Sequence, residues 1–431
     1  MRSFPTAAKA LLLLLLWTGC RDAPQSESDE AAAFDTSGAD LRTGAMVLAE
    51  RGFDLIAGRR VGLVVNHTAV VDTAHLVDRI AGTDGIELTA LFGPEHGLRG
   101  DADAGEQIED GRDARTGAPI YSLYGSTRKP TSAMLQDVDV LVFDIQGVGA
   151  RFYTYISTMG LSMQAAAEQG IPFVVLDRPN PLGGAYVSGF MLEPGLESFV
   201  GQYPIPMAHG LTVGELAQMI VGEAMMEGLE NLDLHVVEVE GWSRGMLWPE
   251  TGLPWIAPSP NIPDFETALV YPGAVLFEAT NASEGRGTLQ PFKQLGAPWV
   301  DGEALADTLN ARGLAGVRFE AIQFTPESIE GMDSSPKLEG ILLEGIRYVV
   351  SDAGTFRPVA AGIHVLHAFY QQAARRGAGE FEIRPDRLAR LAGTERLYEM
   401  LQQDASPEDI AASWESDVEQ FRQARQAYLI Y

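Results

Sequence analysis

A single cysteine, Cys20, stands in the 431 residues, so no intrachain disulfide can form and the mature fold must rest on its core. Basic residues are scarce as well. The chain has 31 Lys and Arg against 59 Asp and Glu, a formal charge of −28. A surface this acidic argues against a nucleic-acid partner and against adhesion to anionic lipid through the protein surface. No Gly-x-Gly-x-x-Gly follows the first predicted strand, and no Walker-type loop occurs, so neither a dinucleotide nor a nucleotide cofactor is expected. His-Glu-x-x-His and Gly-x-Ser-x-Gly are also missing, which removes two common hydrolase signatures. The first apolar run, Leu11 to Leu16, is too short to cross a bilayer as a permanent helix.

What that run does have is a context. Arg2 and Lys9 precede it, and Gly19-Cys20 closes it, the order of an export signal ending in a lipobox-like site. Trp17 stands where Leu is usual. Lipidation at Cys20 is the expectation, with ordinary secretory cleavage as the alternative. Residues 1–20 are then the signal and 21–42, rich in Ser, Asp, Glu and Ala, a flexible tether. A periplasmic or cell-surface lipoprotein follows, touching the membrane through its anchor only.

Beyond the tether, four nearly continuous apolar runs alternate with helix-like stretches: Val61 to Asn66, Leu88 to Phe92, Val138 to Ile145 and Pro172 to Leu176. Such runs suit parallel strands covered on both faces. Thr73 to Ala81 and Ser157 to Gln169 are the intervening helices. The alternation predicts an α/β, doubly wound, Rossmann-like sheet over residues 43–272. A second, smaller α/β (α+β) domain is expected over 273–431, completing a cleft. Its predicted strands are Ala274 to Thr280, Val317 to Phe324 and Gly345 to Val350, followed by helices from Val359 onward. A stretch rich in Trp and Pro, 242–272, reads as a long ordered crossing.

Polar clusters fall just beyond the predicted strands, where doubly wound sheets gather functional groups. Glu95 and His96 lie in Phe92-Gly93-Pro94-Glu95-His96-Gly97. A carboxyl fixed in a Gly-rich turn can donate a proton if burial raises its pKa; it can equally cap a helix or pair with Arg99. Glu284 lies in Asn281-Ala282-Ser283-Glu284-Gly285-Arg286-Gly287-Thr288, again Gly-flanked, with Asn281 and Arg286 beside it. Its alternative is a local Glu–Arg pair. Two carboxyls facing one pocket are what glycosidic cleavage requires. The third cluster, Asp144 to Tyr155, supplies Asp144, Arg151 and Tyr153. Aromatics stack on sugars and Arg forks onto carboxylates, whereas a structural Asp with core tyrosines is the competing reading. His67, His96, Asp101, Asp103 and Asp144 could in principle gather a metal, although no spacing demands it.

Taken together, FGPEHGLRGDADAGE, TGAPIYSLYG, VLVFDIQGVGARFYTYIST, VVLDRPNPLGG and NASEGRGTLQPFKQLGAPW resemble the exo-β-N-acetylmuramidase family of the NamZ type, from about Gly44 to the C-terminus. The resemblance implies a Rossmann-like domain joined to a smaller α/β domain, with the site in the cleft between them. It implies hydrolysis of a terminal β-linked N-acetylmuramic acid in peptidoglycan-derived saccharides, with no cofactor. Glu95 matches the family's favoured acid and Glu284 a second acidic candidate. His96, Asp144, Arg151, Tyr153, Asn281 and Arg286 fall in pocket-lining blocks. Muramic acid carries a lactyl carboxylate, so a cation is expected in the pocket, with Arg151 and Arg286 as candidates. A non-catalytic sugar-binding lipoprotein and a metal-dependent ester or amide hydrolase are the competing classes.

Overall fold

The computed structural model describes residues 41–98, 110–376 and 380–431; the expected signal, Cys20 and most of the expected tether lie outside them, as do Asp101 and Asp103. The larger sheet has seven strands: β1 (Arg60–Val65), β2 (Glu87–Gly93), β3 (Gly111–Arg112), β4 (Pro119–Ser122), β5 (Val140–Asp144), β6 (Phe173–Leu176) and β7 (Leu234–Val237), in the order β7-β6-β5-β1-β2-β4-β3. All neighbours pair in parallel except β3 with β4. From β1 the chain crosses to β2 on one side and later to β5 on the other. That reversal opens a crevice at the carboxyl edge of the sheet.

Successive residues of these strands serve two separate cores. Val140 and Val142 of β5 pack with α1 (Gly44–Glu50) and α2 (Leu76–Ala81). Leu141 and Phe143 of the same strand pack with α3 (Tyr155–Gln169) and α4 (Val213–Gly222). Both faces of the inner strands are covered, which is why β1, β5 and β6 read as unbroken apolar runs rather than alternating ones. Burying a side chain such as Phe143 stabilises the fold by about 1.5–3 kcal/mol. The helices are closed by local chemistry. Thr212 and Glu215 cap the start of α4 reciprocally, and α3 stops at Gly170 in a left-handed conformation.

A smaller antiparallel sheet follows, β8 (Gln294–Ala297), β9 (Val317–Phe324) and β10 (Leu343–Val350), with β10 in the centre. Around it lie α5 (Phe265–Ala274), α6 (Gly302–Asn310), α7 (Pro358–Arg376) and four C-terminal helices beginning with α8 (Pro385–Ala392). One expectation fails here. Residues 274–280 form no strand; α5 runs into a 3-10 turn, Val275–Ala279. Val275, Leu276, Phe277 and Ala279 are all buried, and a short run buried on every side has no period to separate strand from helix. The helix expected over Thr73 to Ala81 begins only at Leu76, because Ala74–His75 pairs in a small hairpin and His75 accepts from the Val77 N–H.

Candidate active site

Glu95 sits at the carboxyl end of β2, where the chain folds back at once. The Gly97 N–H donates to the Pro94 carbonyl at 2.9 Å, and His96 between them takes a left-handed φ of 70°. That conformation is uncommon outside glycine and fixes the direction of the neighbouring carboxyl. The Thr154 hydroxyl, just beyond β5, donates to Glu95 at 3.0 Å. Four phenols feel the same carboxyl. Burial, then the charge and hydrogen bond of Glu95, push Tyr124 up to about 12. Tyr153, Tyr155 and Tyr271 are raised further, burial leading in each case and Glu95 contributing. All four rings therefore stay protonated and neutral at any working pH. Tyr155 is also anchored, donating to the Pro258 carbonyl at 2.6 Å.

Glu284 has the opposite surroundings. Its buried carboxylate accepts from the Lys337 ammonium at 2.7 Å and lies 3.5 Å from Nε of Arg286. Arg286 in turn binds Glu278 at 2.9 Å, Arg387 binds Glu278 at 2.9 Å, and Asp333 lies 4.0 Å from Arg286. Burial works against the charge of Glu278, but the two guanidiniums outweigh it and hold this carboxyl below the usual range. The loop reaches this geometry through Gly285, whose φ is 78°. A Cβ there would come within 2.7 Å of the Gln294 carbonyl and 2.8 Å of the Gln290 carbonyl, so no other residue fits without moving the backbone.

Glu95, His96, Tyr153, Glu284 and Arg286 line one cavity of about 520 Å³, a size suited to a small saccharide. Its floor belongs to the hydrophobic core itself: Phe152, Tyr153, Tyr155, Ile262, Tyr271 and Phe292 both line the cavity and join the cluster that spans the larger and smaller sheets. The Trp- and Pro-rich crossing contributes Ser259, Asn261 and Ile262 to the lining, while its Trp248 and Trp255 stack edge to face at 5.2 Å.

Three expected pocket residues lie elsewhere. Arg151 is fully buried and donates to the carbonyls of Phe190, Ile205 and Leu391 at 2.7 to 2.8 Å. Its fork satisfies backbone in the interior and cannot meet a substrate. Asp144 is buried against Arg178, at 2.5 and 2.9 Å, which closes the end of β5. Asn281 ties its loop to the backbone of Glu380 and Glu382. Conversely, the motifs gave no sign of Lys337, Arg128, Arg384 or Arg387, all of which line the cavity. Lys337 lies in an irregular loop before β10, where periodicity says nothing. Among the described residues, no group of three or more His, Cys, Asp or Glu is placed to hold a metal ion.

The family models described as "Exo-beta-N-acetylmuramidase NamZ, N-terminal" and its C-terminal counterpart match residues 61–266 and 269–431. The chain is 44% identical over 381 residues to the "Peptidoglycan beta-N-acetylmuramidase NamZ" of Bacillus subtilis (strain 168), covering 87% of this chain and 88% of that protein. Two crystal structures of DUF1343 family proteins from Bacteroides fragilis NCTC 9343 superpose on it with TM-scores of 0.82 and 0.74, at 38% and 32% identity. Each covers 91% of this chain and is itself covered to 99%. With both halves matched in order, the chain belongs to the exo-β-N-acetylmuramidase NamZ family of glycosidases.

Proposed function

We propose that this enzyme releases non-reducing terminal β-linked N-acetylmuramic acid from peptidoglycan fragments, with Glu95 as general acid and Glu284 as the second carboxylate. The observation that carries the reading is the contrast between two carboxyls lining one cavity. Glu95 is held by a hydroxyl within reach of four neutral phenols, and Glu284 is tied to two cations. Dissimilar surroundings for paired carboxyls are the usual way to divide acid from anion. In this division Glu95 gives its proton to the glycosidic oxygen as the C1–O bond breaks, and the bonding pair leaves with that oxygen. Glu284 remains an anion near the positive charge that develops at C1, and water completes the exchange. Residues 259–262 supply a wall, in keeping with a substrate entering by its end.

The test is Glu95→Gln assayed on two leaving groups. Hydrolysis of a muramic acid disaccharide, whose leaving oxygen needs a proton, is expected to fall about 10²–10⁴-fold. A 4-nitrophenyl glycoside, whose leaving group needs little help, is expected to lose far less. Equal losses on both, or unchanged turnover, would end the assignment.

The reading extends to location. The N-terminal pattern supports lipidation of Cys20 and an exported enzyme held at a membrane. Cys20→Ser is expected to move the enzyme from the membrane to the soluble fraction; identical partitioning of both forms would refute the anchor.

A further inference from the structure

We infer that Arg128, laid on the ring of Phe199, is the specificity-determining residue that receives the lactyl carboxylate of N-acetylmuramic acid. The inference rests on the reading that this sugar occupies the cavity of Glu95 and Glu284.

The charge of the cavity is the first observation. In a chain of net charge −28, five cationic side chains line it against four carboxylates. The lining thus reverses the sign of the molecule, as an anionic ligand requires. Most of that positive charge is already engaged. Arg286 binds Glu278 and Glu284, Lys337 binds Glu284, and Arg387 binds Glu278. Arg384 donates to the carbonyl of Glu278. This removes Arg286, the candidate that survives Arg151, because its donors face two carboxylates of the protein itself.

Arg128 is different. Its guanidinium carbon lies 4.6 Å from the centroid of Phe199, and among the described residues neither a carboxylate nor a carbonyl engages its donors. A guanidinium held over a ring by cation–π attraction keeps N–H donors for a further partner, and its fork matches a carboxylate with two parallel hydrogen bonds. The ring also fixes the orientation of a long exposed side chain, reducing the entropy lost on binding.

Its position agrees. Arg128 leaves the sheet after β4, and Glu95 leaves it after β2, the parallel neighbour of β4. Tyr124, on the same loop as Arg128, lies close enough to Glu95 to feel its charge and is 6.3 Å, centroid to centroid, from Phe199. One aromatic pair therefore separates the guanidinium from the proton donor. In the substrate, the lactyl group on O3 and the scissile bond at C1 belong to the same ring, so one sugar can meet both.

The experiment compares three 4-nitrophenyl β-glycosides on the full chain: N-acetylmuramic acid, its lactyl methylamide and N-acetylglucosamine. The methylamide keeps the shape of the lactyl group and removes its charge. The wild type is expected to favour the free acid over the methylamide in kcat/KM by about 10- to 100-fold, the worth of one charge-assisted hydrogen-bond pair. In Arg128→Gln that ratio is expected to collapse towards one, through KM rather than kcat. Arg128→Lys should recover part of it. Lys129→Gln, next in the chain but paired with Glu168 outside the cavity, should leave it alone. A ratio preserved in Arg128→Gln, or lost in Lys129→Gln instead, overturns the assignment. A wild type that hydrolyses acid and methylamide equally overturns charge recognition while leaving the glycosidase reading intact. No turnover of either muramic acid glycoside by the wild type would bring down that reading and the inference together.

Discussion

Removing the ammonium of Lys337 should cost the fold more than removing both it and its partner would suggest. Lys337 lies 2.7 Å from Glu284. At an effective dielectric of 20 that separation corresponds to about 6 kcal/mol of attraction, most of it offset by the desolvation of both ions. Arg286 at 3.5 Å supplies about 5 kcal/mol on the same basis and tempers the loss. Lys337→Met also strips the carbonyls of Phe277 and Ala282 of a donor. The expected cost is about 3–5 kcal/mol, as for other broken buried pairs. Glu284→Gln, which leaves Lys337 its two carbonyls, should cost less. In the double variant the two costs should fail to add by about 2 kcal/mol or more. Urea unfolding of the four proteins at neutral pH measures that coupling. A coupling indistinguishable from zero would show that the 2.7 Å contact contributes nothing, and the argument that Glu284 is fixed by its cations would go with it.

Other outcomes follow from the same contacts. Because Arg286 and Arg387 lower the Glu278 carboxyl below its ordinary 4.5, its stabilising contribution is complete above about pH 4.5 and is lost as the pH falls through the folded value. Glu278→Gln should therefore be less stable at neutrality and flatten the acid limb of a plot of urea midpoint against pH; parallel curves would contradict this. Arg151→Met should destabilise the protein by about 3 kcal/mol or more, leaving three buried carbonyls without donors. The folded fraction should keep its KM for a muramic acid glycoside, and a raised KM at unchanged stability would return Arg151 to the pocket. Gly285→Ala forces a Cβ against two carbonyls at a positive φ. A stability loss of about 1–3 kcal/mol with a fall in kcat is expected, and wild-type values for both would refute the strain.

Four strands of the larger sheet, β1, β2, β5 and β6, were legible because burial on both faces writes itself as unbroken runs such as Val140 to Phe143. By contrast, β3 is exposed, β4 and β7 are only partly covered, and none of the three carries such a run. The turn carrying Glu95 and the loop carrying Glu284 were legible for another reason: glycines stand on both sides of Glu95 and directly after Glu284, and the positive φ of Gly97, Gly285 and Gly287 needs them. What stayed hidden was partnership. Arg151 and Arg286 both follow glycine-rich turns, yet one spends its donors on interior carbonyls and the other on two carboxylates. Lys337, more than fifty positions beyond Glu284, comes back to it only through tertiary structure. Periodicity likewise could not separate the strand expected over 274–280 from a buried helical turn.

The aromatic floor of the cavity is continuous with the packing that joins the two sheets. Interiors packed in this way resist deformation, so the spacing between Glu95 and Glu284 is established when the chain folds rather than when a ligand arrives. Such an enzyme spends little binding energy on bringing its halves together. A stiff, pre-shaped mimic of the flattened sugar ring should then gain affinity from its rigidity, since neither side has to reorganise.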